Sequence, residues 1–236
     1  MLNSWIKPGV AAVLAALLCG PAMAQVVVPA NSSLDVPAGG MDLGCTPLQV
    51  LGTVNITTGL LSGVGDLGIN PGGTVNGGQG TITVGGDWSD TGQFNAGTGS
   101  VVFTDACSAG DTQFTGTTVF NNLTLSSTTG RTFVIPAGAL LTVNGTLTLQ
   151  GAPGQPLNLV SSSGQTAVIA LGPNAQVVRS NVSQAANVQI GAAAQGVAGI
   201  PTLDRLGLAL LTLLLAAAAL WQGQAGRTFR KSTLID

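Results

Sequence analysis

Four aspartates, Asp87, Asp90, Asp105 and Asp111, fall within twenty-five residues of one another and are the densest set of carboxylates in the sequence. Carboxylates in such a run suit two chemistries, oxygen ligation of Ca²⁺ and paired acid–base work on a glycosidic bond. Their spacing fits neither an EF-hand loop nor a glycine–aspartate nonapeptide, and nothing in the sequence selects two of them as a catalytic pair. Solvated aspartates closing Asx turns are therefore expected. Arg131 and Arg179 are the only bases between Gln25 and Gly199. A basic residue beside acids is the equipment of a polysaccharide lyase, but a single Arg is more commonly a surface residue. Trp88, Phe94, Phe103, Phe114 and Phe120 would suit a sugar-stacking platform, yet aromatic residues at strand spacing more often fill a core. The chain has no His and no Glu, so the commonest general base and the commonest metal ligand are missing. No catalytic residue, no cofactor and no metal site are expected, and the chain does not read as an enzyme.

The cysteines offer structure rather than reactivity. Cys19 lies in an N-terminal apolar segment, which leaves Cys45 and Cys107. Neither has CxxC spacing or a His partner. In an oxidising compartment they are candidates for one disulfide closing a loop of about sixty residues.

Behind these side chains lies an unusual composition. Of 236 residues only 7% are charged, and 35 are glycine. Between Gln25 and Gly199, two bases stand against seven acids, a net charge of −5. Two cations cannot neutralise a phosphate backbone, so nucleic acid is disfavoured and not expected as a partner. Short runs with period-two alternation recur, among them Thr53–Ile56, Thr81–Val84, Val101–Phe103, Leu123–Leu125, Leu141–Val143, Thr146–Leu149, Leu157–Val160, Val168–Leu171, Gln176–Val178 and Asn187–Ile190. Val, Leu, Ile and Phe alternate with Thr, Asn and Gln, which gives each run one core face and one wet face. Gly, Pro-Gly, Asn-Gly and Ser clusters separate them. Two tetrapeptides recur: Val36-Pro37-Ala38-Gly39 as Ile135-Pro136-Ala137-Gly138, and Thr74-Val75-Asn76-Gly77 as Thr142-Val143-Asn144-Gly145. The pattern predicts an all-β ectodomain over residues 25–190, a right-handed β-solenoid with coils of about twenty residues. A β-sandwich is the competing architecture.

The two ends read as addresses. Lys7, the apolar stretch Val10–Leu18 and Ala22-Met23-Ala24 compose a secretory signal peptide over 1–24, an N-terminal signal helix cleaved at Ala22 and Ala24. A small-residue linker is expected over 191–199. An apolar run, 206–221, follows, and then a tail carrying Arg227, Arg230 and Lys231. Apolar followed by basic predicts a C-terminal transmembrane helix with its cations cytoplasmic. Sixteen residues reach about 24 Å, short of a hydrocarbon core of about 30 Å unless flanking residues contribute.

Ile200-Pro201-Thr202-Leu203, the apolar run and the basic tail together resemble the IPTL-CTERM sorting signal of Gram-negative bacteria, a relative of the PEP-CTERM signal. In place of the Ser-Glu-Trp-like continuation of that pattern stands Asp204-Arg205-Leu206. The resemblance implies a partner, an exosortase-like transpeptidase in the inner membrane, that cuts near the tetrapeptide and passes the ectodomain to the cell surface. Gly86-Asp87-Trp88, Gly92-Gln93-Phe94, Val101-Val102-Phe103 and Phe120-Asn121-Asn122-Leu123-Thr124-Leu125 resemble, in their succession, adhesin-like repeats of bacterial surface proteins. The expected function is that of a secreted, surface-bound structural or adhesive protein. A module binding extracellular polysaccharide or matrix is the second reading, and a β-helical polysaccharide-acting enzyme ranks third.

Overall fold

The computed structural model describes residues 24–107 and 110–191. They form strands and turns only, with no helix among them. The strands, in order, are β1 (Val26–Val28), β2 (Ser33–Val36), β3 (Gly40–Val50), β4 (Thr53–Ile56), β5 (Leu60–Ile69), β6 (Thr74–Asn76) and β7 (Thr81–Val84). β8 (Trp88–Asp90), β9 (Gln93–Asn95), β10 (Ser100–Phe103), β11 (Thr112–Gly116), β12 (Thr118–Phe120), β13 (Asn122–Ser126) and β14 (Thr132–Ile135) follow. The last are β15 (Gly138–Val143), β16 (Thr146–Gln150), β17 (Leu157–Ser161), β18 (Ala167–Leu171), β19 (Gln176–Ser180), β20 (Val182–Gln184) and β21 (Val188–Ile190).

Every strand pairs in parallel with the strand one turn before or after it, so the chain winds as a β-solenoid of about eight turns. A sandwich, which is antiparallel, is excluded by that pairing. Three faces result. The first stacks β1, the end of β3, the end of β5, β8, β11, β14, β17 and β20. The second stacks β2, β4, β6 and β9, then β12, β15, β18 and β21. The third stacks the starts of β3 and β5, then β7, β10, β13, β16 and β19.

The alternation read in the sequence is what makes this stack. In Thr81–Val84 and Thr53–Ile56 the apolar residues are buried and the polar ones are half-exposed. Leu48, Val54, Leu61, Val84, Phe103, Leu123, Leu147 and Ile169, drawn from all three faces, belong to one buried column. Coil length starts near the expected twenty residues: Ser33 pairs with Thr53 and Leu67 with Trp88, 20 and 21 residues on. It then grows to 26 between Trp88 and Phe114 and 30 between Leu147 and Val177. Because parallel neighbours must only match in strand register, the extra residues are carried at the corners.

The two recurrent tetrapeptides behave differently. Thr74-Val75-Asn76 and Thr142-Val143 both lie on the second face, each with its Thr half-exposed and its Val buried. Val36-Pro37-Ala38-Gly39 turns from the second face to the third, whereas Ile135-Pro136-Ala137-Gly138 turns from the first to the second. The recurrence of Pro-Ala-Gly is a shared turn chemistry: Gly39 and Gly138 both have positive φ, 81° and 88°.

The second face is interrupted once. β9 and β12 lie one turn apart but share no ladder, and the face divides there into two four-stranded sheets. Behind the interruption Trp88, Phe94 and Phe120 pack ring on ring, with centroids 5.1 Å, 5.2 Å and 5.7 Å apart. Aromatic contacts hold the two coils together where backbone hydrogen bonds do not.

Candidate functional site

Two constructions stand out from the plain stacking. One is a polar strip on the outer side of the second face, over β2, β4, β6 and β9. Strand alternation turns Asp35, Asn55, Asn76 and Asn95 outward in one column, and Ser33, Thr53, Thr74 and Gln93 in another. The amides are wired in one direction. Asn95 Nδ2 donates to Asn76 Oδ1 at 2.8 Å, Asn76 Nδ2 to Asn55 Oδ1 at 2.8 Å, and Asn55 Nδ2 to Asp35 Oδ1 at 2.6 Å. Gln93 Nε2 feeds the top of the series through Asn95 Oδ1 at 3.2 Å, and Ser33 Oγ donates to Asp35 Oδ2 at 3.0 Å. The hydrogen bonds from Asn55 and Ser33 hold the exposed Asp35 carboxyl below the usual carboxylate range. Beside the strip runs an open groove of about 370 Å³ lined by Asp35, Asn55, Ile56, Thr57, Asn76 and Gly78.

The other construction is the corner between the third and first faces. There the chain after β10 leaves the coil at Thr104 and returns at Asp111. Cys107, on this excursion, is bonded to Cys45, on the corresponding corner of β3, with Cα atoms 5.1 Å apart. That separation lies in the ordinary range for a disulfide. The bond spans the corner of an intervening coil at Gly85, where a Cβ would collide with the Cys107 Cβ and backbone. Only glycine leaves room for the crossing.

Arg131 sits beneath the excursion with 3% of its surface exposed. Its Nε donates to Gly110 O at 2.7 Å, Nη1 to Thr104 O at 2.9 Å, and Nη2 to Gly85 O. One guanidinium thus holds both ends of the excursion and the corner below it, while its carbon stands 5.6 Å from the Phe133 ring centroid. Burial pulls its pKa down, and the nearby Asp105, Asp87, Asp111 and Asp66 carboxylates oppose that. Asp105 is enclosed by the next coil. Thr128 N reaches its Oδ2 at 2.7 Å, and the hydroxyls of Ser127, Thr128 and Thr129 reach it at 3.2 Å each. Burial raises the Asp105 pKa, but these four hydrogen bonds outweigh it and the carboxyl ends below its usual range.

Of the four sequence-selected aspartates, Asp87, Asp105 and Asp111 lie near enough to Arg131 to act on its charge, and only Asp90 stands apart. Asp87 accepts from Gln113 N at 2.8 Å, Asp105 is held by residues 127–129, and Asp90 points into the core. Among the described residues no group of three His, Cys, Asp or Glu is arranged to hold a metal ion. Asp90 is 5% exposed; its Oδ2 accepts from Thr118 Oγ1 at 2.9 Å, and that hydroxyl accepts from Trp88 Nε1 at 3.0 Å. Burial raises the Asp90 pKa despite the hydrogen bonds from Thr118 and Gly92. Trp88, Phe103, Phe114 and Phe120 are buried and Phe94 packs against them, so these rings make core and not a stacking platform. Arg179 lies on the last turn, in register with the buried Leu149, and donates to Gln184 Oε1 at 3.1 Å. Ala24 is exposed at the start of the described chain. Ala22, the tetrapeptide Ile200, Pro201, Thr202 and Leu203, the apolar run 206–221, and Arg227, Arg230 and Lys231 lie outside the described residues.

The one-way amide series and the Arg131 clasp escaped sequence reasoning. Asn55 and Asn76 carried a signal, each the third residue of a Thr-Val-Asn run on neighbouring coils; Arg131 carried none, because its three acceptors are backbone carbonyls. No protein-family model, curated protein or solved structure matches the chain.

Proposed function

We propose that this protein is a structural or adhesive rod of the bacterial cell surface, exported by its N-terminal segment and handed over at its C-terminus. The observation carrying the reading is the solenoid itself: one polar-sided stack whose buried ionisable groups, Arg131 and Asp90, are committed to holding coils together. The Cys45–Cys107 bond suits an oxidising compartment. Residues 1–24 act as a signal helix and 206–221 as a membrane helix, with Arg227, Arg230 and Lys231 on the cytoplasmic side. An exosortase-like transpeptidase reads Ile200–Leu203 as an extended peptide, a geometry that Pro201 favours at Ile200. The solenoid is right-handed, the hand that parallel β crossovers overwhelmingly take.

The test is the intact mass of protein recovered from the surface of the producing bacterium. A chain starting at Gln25 and ending near Leu203 is expected, joined to or released from a surface acceptor. A surface chain that still carries the residues after Leu203 overturns the sorting step, and a chain confined to the cytoplasm overturns the whole reading.

A further inference from the structure

We propose that the strip on the second face, from Ser33 and Asp35 up to Gln93 and Asn95, is a binding site for a neutral polysaccharide. The inference rests on the surface placement above for its setting, and on the geometry of the strip for its chemistry. A primary amide has two N–H donors and two acceptor lone pairs. Within the series Asn55 spends one donor on Asp35 and one lone pair on Asn76, and Asn76 does the same between Asn55 and Asn95. Each keeps one donor and one acceptor, side by side and fixed in direction. Such a pair complements the adjacent hydroxyls of a sugar ring, each of which both gives and takes a hydrogen bond.

The rungs repeat every 4.8 Å or so along the axis, comparable to the length of one sugar unit in an extended glycan. The outer hydroxyls of Thr53 and Thr74 run beside the amides in the same register. The groove over Asn55, Ile56, Thr57, Asn76 and Gly78 gives a ring somewhere to sit. Because every amide is already held by its neighbours, little side-chain freedom is lost on binding. Charge selects the class of glycan. The strip has a carboxylate, Asp35, and no cation, so a uronate or sulfated chain meets repulsion with nothing to offset it.

The experiment uses the full chain in detergent micelles and native affinity gels cast with hydroxyethyl cellulose, galactomannan, dextran or alginate. At least one neutral polymer is expected to retard the protein, and alginate none. The double variant N55A/N76A is expected to weaken retardation at least about tenfold, the equivalent of losing one or two hydrogen bonds. T83A/T148A, on the third face, is expected to bind like the parent. Since the amide series also braces the coils, T53V/T74V serves as a second probe that leaves the series intact, and it too is expected to weaken binding. Retardation by no neutral polymer overturns the proposal, as does equal retardation by alginate. So does unchanged binding in both strip variants, each checked for parental circular dichroism and melting. None of these outcomes bears on export, which the mass measurement reads separately.

Discussion

Three ionisable side chains, the buried Arg131 and Asp90 and the half-buried Asp105, set how this protein should respond to mutation and pH. Arg131 donates to three backbone carbonyls in a site that water barely reaches, so its removal strands acceptors as well as a loop. Arg131→Met is expected to cost about 3 kcal/mol in urea unfolding, and Arg131→Lys to recover only part of that, because one ammonium cannot span three divergent carbonyls. Asp90 and Asp105 pull against each other with pH. The folded pKa of Asp90 is raised, so its contribution is present at low pH and is lost as pH rises through that folded value. That of Asp105 is lowered, so its contribution is present above the ordinary carboxylate pKa and is lost as pH falls through its folded value. Urea midpoints from pH 3 to 8 should therefore show Asp90→Asn gaining stability relative to the parent as pH rises. Asp105→Asn should be the variant with less to lose on acidification. A flat difference between Asp90→Asn and parent across that range would mean that Asp90 ionises freely in the fold.

At the scale of the elements, the excursion between β10 and β11 is held by two devices, one covalent and one a clasp of hydrogen bonds. The Cys45–Cys107 bond closes a loop of 62 residues, and chain entropy assigns about 4 kcal/mol to such a closure. Cys107→Ser should lower stability by up to that amount, and the parent should weigh two mass units less unreduced than reduced. Gly85→Val should prevent the crossing. Free thiols titrated in the unreduced variant are the readout, and an intact bond in that variant would show that the corner can move aside. Much of this level was legible in advance: β4 and β7 were readable to the residue, since Thr-Val-Asn-Ile and Thr-Ile-Thr-Val alternate without exception. What could not be read was β3 and β5. Each runs through a corner and serves two faces, with Gly44, Cys45 and Gly63 at positive φ, so the alternation breaks where the strand bends.

At the scale of the molecule, the solenoid followed from short alternating runs and abundant turn residues, but its lengthening coils and its single interruption did not. Parallel stacking fixes only register between neighbours, so a sequence can add residues at a corner without disturbing the pattern that reveals the fold. The place where β9 and β12 fail to pair has a mechanical consequence. A rod pulled along its axis shares load among its faces, and at that level only the first and third carry a continuous backbone ladder. The disulfide and Arg131 reinforce the corner joining those two faces, opposite the gap. Under tension the second face should open first and the rod should bend about the reinforced corner before any coil unravels. In an optical trap, the reduced protein should extend about 200 Å further than the oxidised one on full unfolding, the contour length locked behind 62 residues. A rod built this way yields at one chosen level, like a hinge with its pin on one side.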